Sequence, residues 1–458
     1  MSWDLEVDVL VVGAGGAGLA AAIAAAEEGA QVAVAEKSER PGGNTSLSTG
    51  SVPGAGTRFQ RAAGIDDSPQ RFFDDVMRRT NGTAPAHLVR ALTEESAPLV
   101  EWLVDAVHAP LALEPLLKKV GHSVPRTHVP PDRNGQYLFE ALEKRAQALG
   151  VEVSVGTPVA GLEVEDGAVT GARIAAGGGR EDRVGAGKVI LAANGFGANR
   201  DMLRRFAPDI AEAPYFGHQG NTGDGIQWGE ALGAELYNMM AYQGHASVAY
   251  PHGTLVSWSV QELGGFLVNT AGKRFVDETL GYSGCAAEVL VQPGQAAFAV
   301  FDGRIREYML KVPEFAELDK MGGVKTAPDI ETLARDTGID PAELRRTFDA
   351  FQAARDMGND PFGRREWRPA ALAAPFHLVR VCAGLFHTQG GLMVDALSRV
   401  LRPGGAPIPN LYAAGGTAVG ISGRDGGRGY CSASGLLAAL GLGRIAGRDA
   451  GRNTRGKR

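Results

Sequence analysis

The stretch "VDVLVVGAGGAGLAAAIAAAEEGAQVAVAEK", residues 7–37, decides the fold class. Val7–Val12 is predicted to be a buried strand because β-branched residues dominate it. The alanine-rich run Ala17–Glu28 predicts a helix, and Gln31–Ala35 predicts a second strand. Strand, glycine turn, helix and strand in this order predict an α/β fold with a Rossmann-like domain.

Three glycines between the first strand and the helix, Gly13, Gly15 and Gly18, form a GxGxxG pattern. In such a turn the first permits the tight bend, the second lets the backbone approach a pyrophosphate, and the third allows close helix packing. Ala17 lies at the helix N-terminus, which faces the anion. Glu36 ends the second strand and can accept hydrogen bonds from both ribose hydroxyls. The stretch predicts a dinucleotide site; the acid argues against NADP, whereas FAD and NAD both remain.

The bulk composition is that of an ordinary globular protein. The chain has 458 residues, 44% of them hydrophobic and 21% charged, which suffices for two or more domains with their own cores. Its 64 glycines lie in short runs without a repeat, which indicates backbone approaching a ligand. The net charge of -6 gives no support to a nucleic-acid partner.

Cysteine spacing and the N-terminus bear on location. Cys285, Cys382 and Cys431 lie far apart, so no disulfide framework, haem or metal motif is predicted. The N-terminal residues are acidic rather than basic before their apolar run, and glycines interrupt that run. We therefore expect neither a signal peptide nor a transmembrane segment, and a cytoplasmic location.

A second glycine- and hydroxyl-rich loop, "SERPGGNTSLSTGSVPGAGT" at residues 38–57, follows Glu36 directly. It resembles the fumarate reductase and succinate dehydrogenase flavoproteins, in which GG-N-[TS]-x-x-[SA]-x-G follows the ribose acid. The resemblance implies FAD, held in this loop by Gly42, Gly43, Asn44, Thr45, Ser48 and Gly50. Covalent members carry a histidine near the loop. Residues 42–54 contain none, so the implied FAD is non-covalent.

The resemblance covers nearly the whole chain and implies a discontinuous FAD-binding domain. Its parts would be residues 1–239 and 388–458, with an α+β capping domain inserted at 240–387. Asp224, in the "TGDG" match, has an alternative role as a helix cap. The further cofactor contacts that the resemblance implies are Lys37, Val159, Asn194, Gly195, Asp224, Gly415, Gly416, Gly435 and Leu436.

Fumarate reductases hold their substrate with two arginines, two histidines and a threonine. His387 matches one histidine and opens the run "HTQGG", in which Thr388 is a further candidate substrate contact. His245 in "YQGHAS" is a weaker match to the other histidine, because Ala246 and Ser247 replace the Pro-Thr of the family's "HPT". A proline-rich loop, residues 121–135, lies where family members place substrate-side residues. The resemblance thus implies that His122 and Arg126 contact the substrate.

Both arginine positions of the fumarate reductase pattern carry tyrosines. Tyr282 stands four residues after Glu278 in "RFVDE", and Tyr430 stands thirteen residues before Gly443. A tyrosine is no bidentate carboxylate clamp, but it donates a hydrogen bond and serves as a base once deprotonated. The pattern is similar to the 3-ketosteroid dehydrogenases of the same superfamily. That similarity implies Tyr282 as the base, with Tyr430 and the N–H of Ser434 or Gly435 holding the ketone oxygen.

The sequence therefore predicts an FAD-dependent enzyme that desaturates the bond α,β to a ketone, such as a 3-ketosteroid or an oxocyclohexane. Arg424 and Arg428 are candidates for a carboxylate elsewhere on the substrate. A quinone, oxygen or a redox protein would accept the electrons. Two alternatives stay open: a reductase of an unsaturated carboxylate, and a flavin-binding electron-transfer subunit without substrate chemistry of its own.

Overall fold

The computed structural model describes residues 3–116, 118–175, 180–368 and 370–454. The chain divides into two compact units. The first unit comprises Met1–Ala207, Gly217–Tyr242 and His387–Arg458, and the second comprises Pro208–Phe216 and Gln243–Phe386. Residues 208–216, predicted to belong to the FAD-binding part, lie in the second unit because Tyr215 forms a bridge with Leu385 there. The roles of the units as cofactor-binding and capping domains stay predictions.

The strands alternate with helices in the first third of the chain and cluster later. The strands are β1 (Leu5–Val12), β2 (Val32–Ala35), β3 (Val52–Pro53), β4 (Ala112–Leu113), β5 (Thr127–Val129), β6 (Glu152–Ser154), β7 (Val159–Glu165), β8 (Ala168–Ala175), β9 (Glu181–Leu191), β10 (Leu236–Tyr237), β11 (Tyr242–Ala249), β12 (Phe266–Asn269), β13 (Ala296–Asp302), β14 (Val324–Ala327), β15 (Phe376–Thr388), β16 (Gly391–Leu392), β17 (Arg399–Leu401) and β18 (Pro407–Ala413).

The α-helices are α1 (Gly16–Glu27), α2 (Gly43–Leu47), α3 (Arg58–Ala62), α4 (Pro69–Arg79), α5 (Ala86–Asp105), α6 (Gly135–Ala148), α7 (Arg200–Phe206), α8 (Asp224–Ala231), α9 (Ser259–Glu262), α10 (Gly281–Gly284), α11 (Ala286–Leu290), α12 (Gly303–Met309), α13 (Pro313–Lys320), α14 (Ile330–Thr337), α15 (Pro341–Met357) and α16 (Ser434–Arg452). Short 3₁₀ turns occupy Pro131–Arg133, Glu278–Leu280, Pro293–Gln295 and Gly415–Thr417. Among the described residues, no helix is both long and apolar enough to cross a bilayer.

The first unit is built on a sheet of order β17-β18-β9-β1-β2-β6. Its central strands run parallel, and β7 and β8 join antiparallel through β9. The inner half of β1 is completely buried, as a strand covered on both faces requires. This sheet confirms the predicted α/β fold and its Rossmann-like architecture.

Helices α1 and α16 pack with their backbones unusually close. A Cβ on Gly443, Gly447 or Gly451 of α16 would collide with the carbonyl oxygen of Ala17, Ala21 or Ala25 of α1, respectively. The four-residue spacing places these glycines on one face of α16. Because the contacts run in the same order along both helices, α1 and α16 are parallel. Their N-termini therefore point the same way, toward the glycine turn that follows β1.

The second unit is an antiparallel sheet of order β11-β15-β13-β12, with β14 paired to β15. Helices α9 to α15 accompany it, as an α+β domain requires. Strand β13 is buried along its whole length. Phe266 and Phe351 stack in the core with ring centroids 4.4 Å apart. Strands β11 and β15 continue into the first unit at Tyr242 and at His387.

Candidate active site

The glycine turn after β1 leaves room for a ligand at one position only. Gly13 has φ +106°, and a Cβ on it would lie 2.5 Å from the carbonyl oxygen of Ala192. A Cβ on Gly18 would overlap the carbonyl oxygen of Gly13. A Cβ on Gly15, by contrast, meets nothing nearer than Gly42 O at 3.8 Å. Gly13 and Gly18 therefore serve the protein's own packing, whereas Gly15 keeps a space open where a pyrophosphate would approach.

Glu36 lies at the end of β2 with its carboxylate held by the backbone. One oxygen accepts from Ala14 N and the other from Ser38 N, both at 2.8 Å. Each carboxylate oxygen has a further lone pair, so the pair of oxygens can still accept from two ribose hydroxyls. The predicted ribose position thus fits the geometry.

The loop 42–50 is tied to the glycine turn through Thr45. Its Oγ1 accepts from Gly16 N at 3.1 Å, and Gly42 N donates to Ala14 O. Asn44 Oδ1 accepts from His218 N at 2.7 Å and from Asn221 Nδ2 at 3.0 Å. Asn44 therefore positions the neighbouring loop as well as the one that carries it.

Ser48 and Gly50 shape the end of the same loop. Ser48 Oγ donates to Thr45 O at 2.8 Å and accepts from Gly50 N at 3.0 Å. Gly50 has φ +65°, and a Cβ there would press on Pro130. Val159 begins β7, paired with Ile174 and half-buried. The roles of these residues toward FAD stay predictions.

Lys37 and Asp224 pair with each other. The ammonium lies 2.7 Å from Asp224 Oδ2 and 2.9 Å from Thr222 Oγ1. The alternative reading of Asp224 as a helix cap is wrong, because Gly223 is the N-cap of α8 and no side chain caps that helix. The ion pair fastens the segment before α8 to the end of β2, beside the ribose acid.

Two tight turns lie against each other behind the cofactor loops. A Cβ on Gly416 would lie 2.5 Å from Gly195 N and 2.6 Å from Asn194 Oδ1. A Cβ on Gly415 would lie 3.0 Å from Ala17 Cβ. Thr388 Oγ1 accepts from Phe196 N at 3.2 Å, and the residue is 1% exposed. The Thr388 hydroxyl is thus enclosed in the packing of the 194–196 turn, and its contact with the substrate stays a prediction.

The N-terminus of α16 presents free donors. Ala433, the N-cap, has φ +65°, and Ser434 N donates to Cys431 O at 3.1 Å. The Ser434 N–H is therefore already bonded within the protein, and its role toward a ketone oxygen stays a prediction. Gly435 and Leu436 follow, both half-buried, and within the described ranges the Gly435 N–H meets no acceptor. Ser434 Oγ is buried without a partner.

These features fit FAD. The open space at Gly15, the backbone-held carboxylate of Glu36 and the unsatisfied donors of α16 are what an anionic dinucleotide with a polar ring system requires. On the N-terminal side of Gly443, the residue that contacts Ala17, helix α16 continues for more than two turns. Two helix N-termini are thus available to one cofactor.

Two predicted residues of the first unit, His387 and Tyr430, lie close to a third, Gly435. His387 Nε2 lies 2.8 Å, and Tyr430 Oη 3.3 Å, from the point that a Cβ on Gly435 would occupy. The two rings meet edge to face with centroids 5.7 Å apart. Burial lowers the pKa of His387 to about 4, so the ring is neutral at pH 7. The absent side chain of Gly435 leaves a space flanked by two groups that can donate to an oxygen.

Arg126 and His122 belong to a buried network instead of a substrate surface. Arg126 Nε and Nη2 donate to Asp67, and Nη1 donates to Asp75 at 2.8 Å and to His122 Nδ1 at 3.1 Å. The other ring nitrogen of His122 contacts Ser432 O at 2.8 Å. The Arg126 side chain has no exposed surface. Asp67 and Asp75 hold the guanidinium, and Arg126 and Ser432 O hold the imidazole, so the contact of Arg126 and His122 with the substrate stays a prediction.

In the second unit, Tyr282 and His245 lie together in an aromatic cluster, which we define as His245, Trp258, Tyr282 and Phe386. His245 stacks on Tyr282 with centroids 4.8 Å apart, and lies 6.2 Å from Trp258 and 6.0 Å from Phe386. His245 Nδ1 accepts from Ser247 N at 3.1 Å, which leaves the ring proton on Nε2. Burial lowers the pKa of His245 to about 3, so it adds no charge to the cluster.

A buried ion-pair group fixes the turn that carries Tyr282. Glu278 accepts from Arg274 at 2.7 Å and from Arg364 at 3.3 Å, and Arg274 also bonds Asp360 at 2.6 Å. All four side chains are nearly inaccessible. Tyr282 stands four residues after Glu278, in α10.

Several residues escaped the sequence reasoning. Trp258, Phe386 and Phe216 form no motif. Only the fold brings Trp258 and Phe386 near His245, and Phe216 stacks on Phe386. Gln389, whose Nε2 lies 3.0 Å from His387 Nδ1, stood within the quoted "HTQGG" run and could have been noticed there. Arg424 bonds Asn238 and Tyr237 through its guanidinium. Its proposed carboxylate role and that of Arg428 stay predictions.

The chain is similar to proteins of known family. Residues 8–432 match the family described as "FAD binding domain". An NADH:fumarate oxidoreductase from Klebsiella pneumoniae is 32% identical over 453 residues, 98% of this chain; the chain spans about half (48%) of that protein. The structure of the open conformation of a flavocytochrome c3 fumarate reductase matches with TM-score 0.81 and 30% identity, over 99% of this chain and 79% of that one.

A second structural match has nearly the same extent as this chain. It is a 3-ketosteroid-delta4-(5alpha)-dehydrogenase from Rhodococcus jostii RHA1 in complex with 4-androstene-3,17-dione, with TM-score 0.79, 29% identity and 98% of both chains covered. The chain therefore belongs to the FAD binding domain family, and it is an FAD-dependent oxidoreductase of the superfamily that contains the fumarate reductases and the 3-ketosteroid dehydrogenases.

Proposed function

We propose that this oxidoreductase desaturates the bond α,β to the carbonyl of a cyclic ketone, such as a 3-ketosteroid or an oxocyclohexane. The observation that carries the proposal is the uncharged aromatic cluster around Tyr282. A dicarboxylate such as fumarate needs cationic side chains to hold it. The cluster offers instead flat apolar surface, a phenol and a neutral imidazole, which suit a neutral ring.

The chain's own residues divide the chemistry. Tyr282, as phenolate, takes the proton from the carbon next to the carbonyl. Tyr430, His387 and the Gly435 N–H donate to the ketone oxygen, on which negative charge develops as that proton leaves. FAD, when bound, supplies the two-electron acceptor for the hydride from the adjacent carbon. The aromatic side chains of the cluster hold the ring and exclude water.

The test is anaerobic. The FAD-loaded protein is mixed with 4-androstene-3,17-dione, 4-oxocyclohexanecarboxylate or cyclohexanone, and the absorbance of oxidised flavin is followed. We expect bleaching by one of these ketones and a rate lower by about 10²–10⁴ in Tyr282→Phe, the usual contribution of a positioned base. Tyr308→Phe, at an exposed tyrosine of α12, is the matched control and should bleach at the wild-type rate.

A second candidate is a reductase of an unsaturated carboxylate. The Klebsiella pneumoniae relative and the flavocytochrome c3 structure, both described as fumarate enzymes, favour it. The same protein, reduced beforehand, distinguishes the two. Reoxidation by fumarate or urocanate, together with no bleaching by any ketone, would establish the reductase and remove the ketone proposal.

A further inference from the structure

We infer that Gln389 is a positioning residue that fixes the ring proton of His387 on Nε2, so that His387 is a hydrogen-bond donor to the space above Gly435. The inference deepens the proposed function and rests on it only for the acceptor, a ketone oxygen. The position of the proton itself follows from the contacts of Gln389 within the first unit.

The orientation of the Gln389 amide decides the tautomer. The amide oxygen Oε1 of Gln389 faces Ser422, whose Oγ donates to it at 2.9 Å. The amide nitrogen then lies 3.0 Å from His387 Nδ1. An amide nitrogen can only donate, and Nδ1 must therefore accept. A neutral imidazole whose Nδ1 accepts carries its proton on Nε2.

The competing contact of Nδ1 is weaker. His387 Nδ1 also lies 3.3 Å from Thr388 O, which could only accept and would need a proton on Nδ1. That proton would collide with the amide hydrogen of Gln389, which approaches the same nitrogen more closely. The shorter contact therefore determines the arrangement.

The backbone of Gln389 is held on both sides. Its N donates to Ala241 O at 2.7 Å, and its O accepts from Gly420 N at 2.8 Å. A Cβ on Gly420 would overlap Gln389 Oε1, so only glycine leaves room for the amide at that place. Gln389 is 5% exposed and Ser422 is 1% exposed, so water does not compete for these bonds.

The consequence lies on the other side of the ring. The ring edge formed by Cε1 and Nε2 faces the point above Gly435, each atom 2.8 Å from it, and Tyr430 Oη lies 3.3 Å from the same point. Since burial keeps the ring neutral at pH 7, the single proton decides whether Nε2 gives or accepts a hydrogen bond. With the proton on Nε2, His387 and Tyr430 both offer donors to one ligand oxygen.

The experiment reads the tautomer directly. The FAD-loaded protein is labelled with ¹⁵N-histidine, and the His387 signals among the nine histidines are assigned from their absence in His387→Gln. We expect a proton-bearing Nε2 and an accepting Nδ1 in the wild type. In Gln389→Glu the carboxylate accepts from Nδ1, so the proton should move to Nδ1. Gln147→Glu, at an exposed position of α6, adds the same charge and should change nothing.

A wild-type ring with its proton on Nδ1 would overturn the inference. If Gln389→Glu does not fold, Ser422→Ala decides instead: without the serine hydroxyl the amide can turn, and we expect a mixture of both tautomers. Unchanged His387 signals in that variant would likewise count against the inference.

Ketone turnover is measured separately. In Gln389→Glu we expect kcat to fall about tenfold or more with flavin content unchanged, because a donor to the developing oxyanion is lost. A wild type with the expected tautomer but no ketone bleaching would reject the proposed function and leave the tautomer assignment standing. The two ideas therefore fail on different measurements.

Discussion

His245 stacks on Tyr282, with ring centroids 4.8 Å apart and ring planes 20° from parallel. The two residues lie on different elements, β11 and α10, and one hydrogen bond aligns those elements: Gly244 N donates to Ser283 Oγ at 3.0 Å. Gly244 directly precedes His245, and Ser283 directly follows Tyr282. The tyrosine proposed as base thus has its ring plane set by an uncharged histidine.

The glycine turn yields a paired prediction. Gly15→Ala should give a folded protein that has lost most of its FAD, because the added methyl meets no protein atom nearer than 3.8 Å and occupies only the space kept for the cofactor. Gly18→Ala should fail to fold properly, because its methyl would overlap Gly13 O. Flavin content and circular dichroism of both variants measure this. A Gly15→Ala protein with full flavin content would show that the turn does not approach the pyrophosphate.

Gly435→Ala should separate cofactor binding from turnover. Its methyl would lie 2.8 Å from two atoms of the His387 ring, in the space flanked by Tyr430 Oη. The ring can shift slightly, so we expect a folded protein, whereas a ketone oxygen can no longer reach both donors. Ketone turnover should fall by about 10²-fold or more, as when an oxyanion donor is lost. Full turnover in this variant would show that the space is not used by the substrate.

Glu278→Gln should destabilise the protein strongly. The carboxylate is 1% exposed and accepts from Arg274, Arg364 and the backbone N of Leu267. Its neutralisation leaves buried guanidinium groups without full compensation, which costs about 3–5 kcal/mol. Urea unfolding measures the loss. Asp105→Asn breaks the exposed pair with Arg58 and is the matched control, for which we expect little change.

Acid should destabilise the protein between about pH 6.5 and pH 4. Burial is the first cause of the lowered pKa of five histidines. The pKa is lowered to about 4 in His122, His128, His377 and His387, and to about 3 in His245. In this window the unfolded chain binds protons that the native chain does not. The contribution of these histidines to the free energy of unfolding is therefore fully present above about pH 6.5 and is lost as the pH drops. The loss is at most roughly 1.4 kcal/mol per pH unit for each histidine.

Denaturant titrations at several pH values test this dependence, and one histidine can be isolated. His377 Nδ1 contacts Thr326 Oγ1 at 2.9 Å, and the ring stacks on Phe301. His377→Gln should make the pH dependence shallower, whereas His252→Gln, at an exposed position, should leave it as it is. Equal slopes for His377→Gln and the wild type would contradict the assignment of His377 to the acid-sensitive group.

The family resemblance located the candidate residues better than it assigned their contacts. It pointed to His387 from one stretch and to Tyr430 and Gly435 from another, and the fold brings them to one point. It also pointed to Arg126, which the structure buries against Asp67 and Asp75. A motif records that a residue stands at a place in the chain, but not which distant carboxylate takes its hydrogen bonds.

The sequence by itself determined the Rossmann-like unit, the FAD site and the two tyrosines in place of arginines, because spacing along one short stretch encodes each of them. Only the tertiary structure decided that Ser434 N–H is already bonded, that Thr388 is enclosed, that His245 lies on Tyr282 and that Gln389 orients His387. The physical reason is that hydrogen bonds and ring contacts in a dry interior depend on which groups the fold brings within about 3 to 6 Å. Some of these neighbours, such as Asp67 and Arg126, stand tens of residues apart in the chain, and others, such as His387 and Gln389, are close in the chain but are oriented by distant partners.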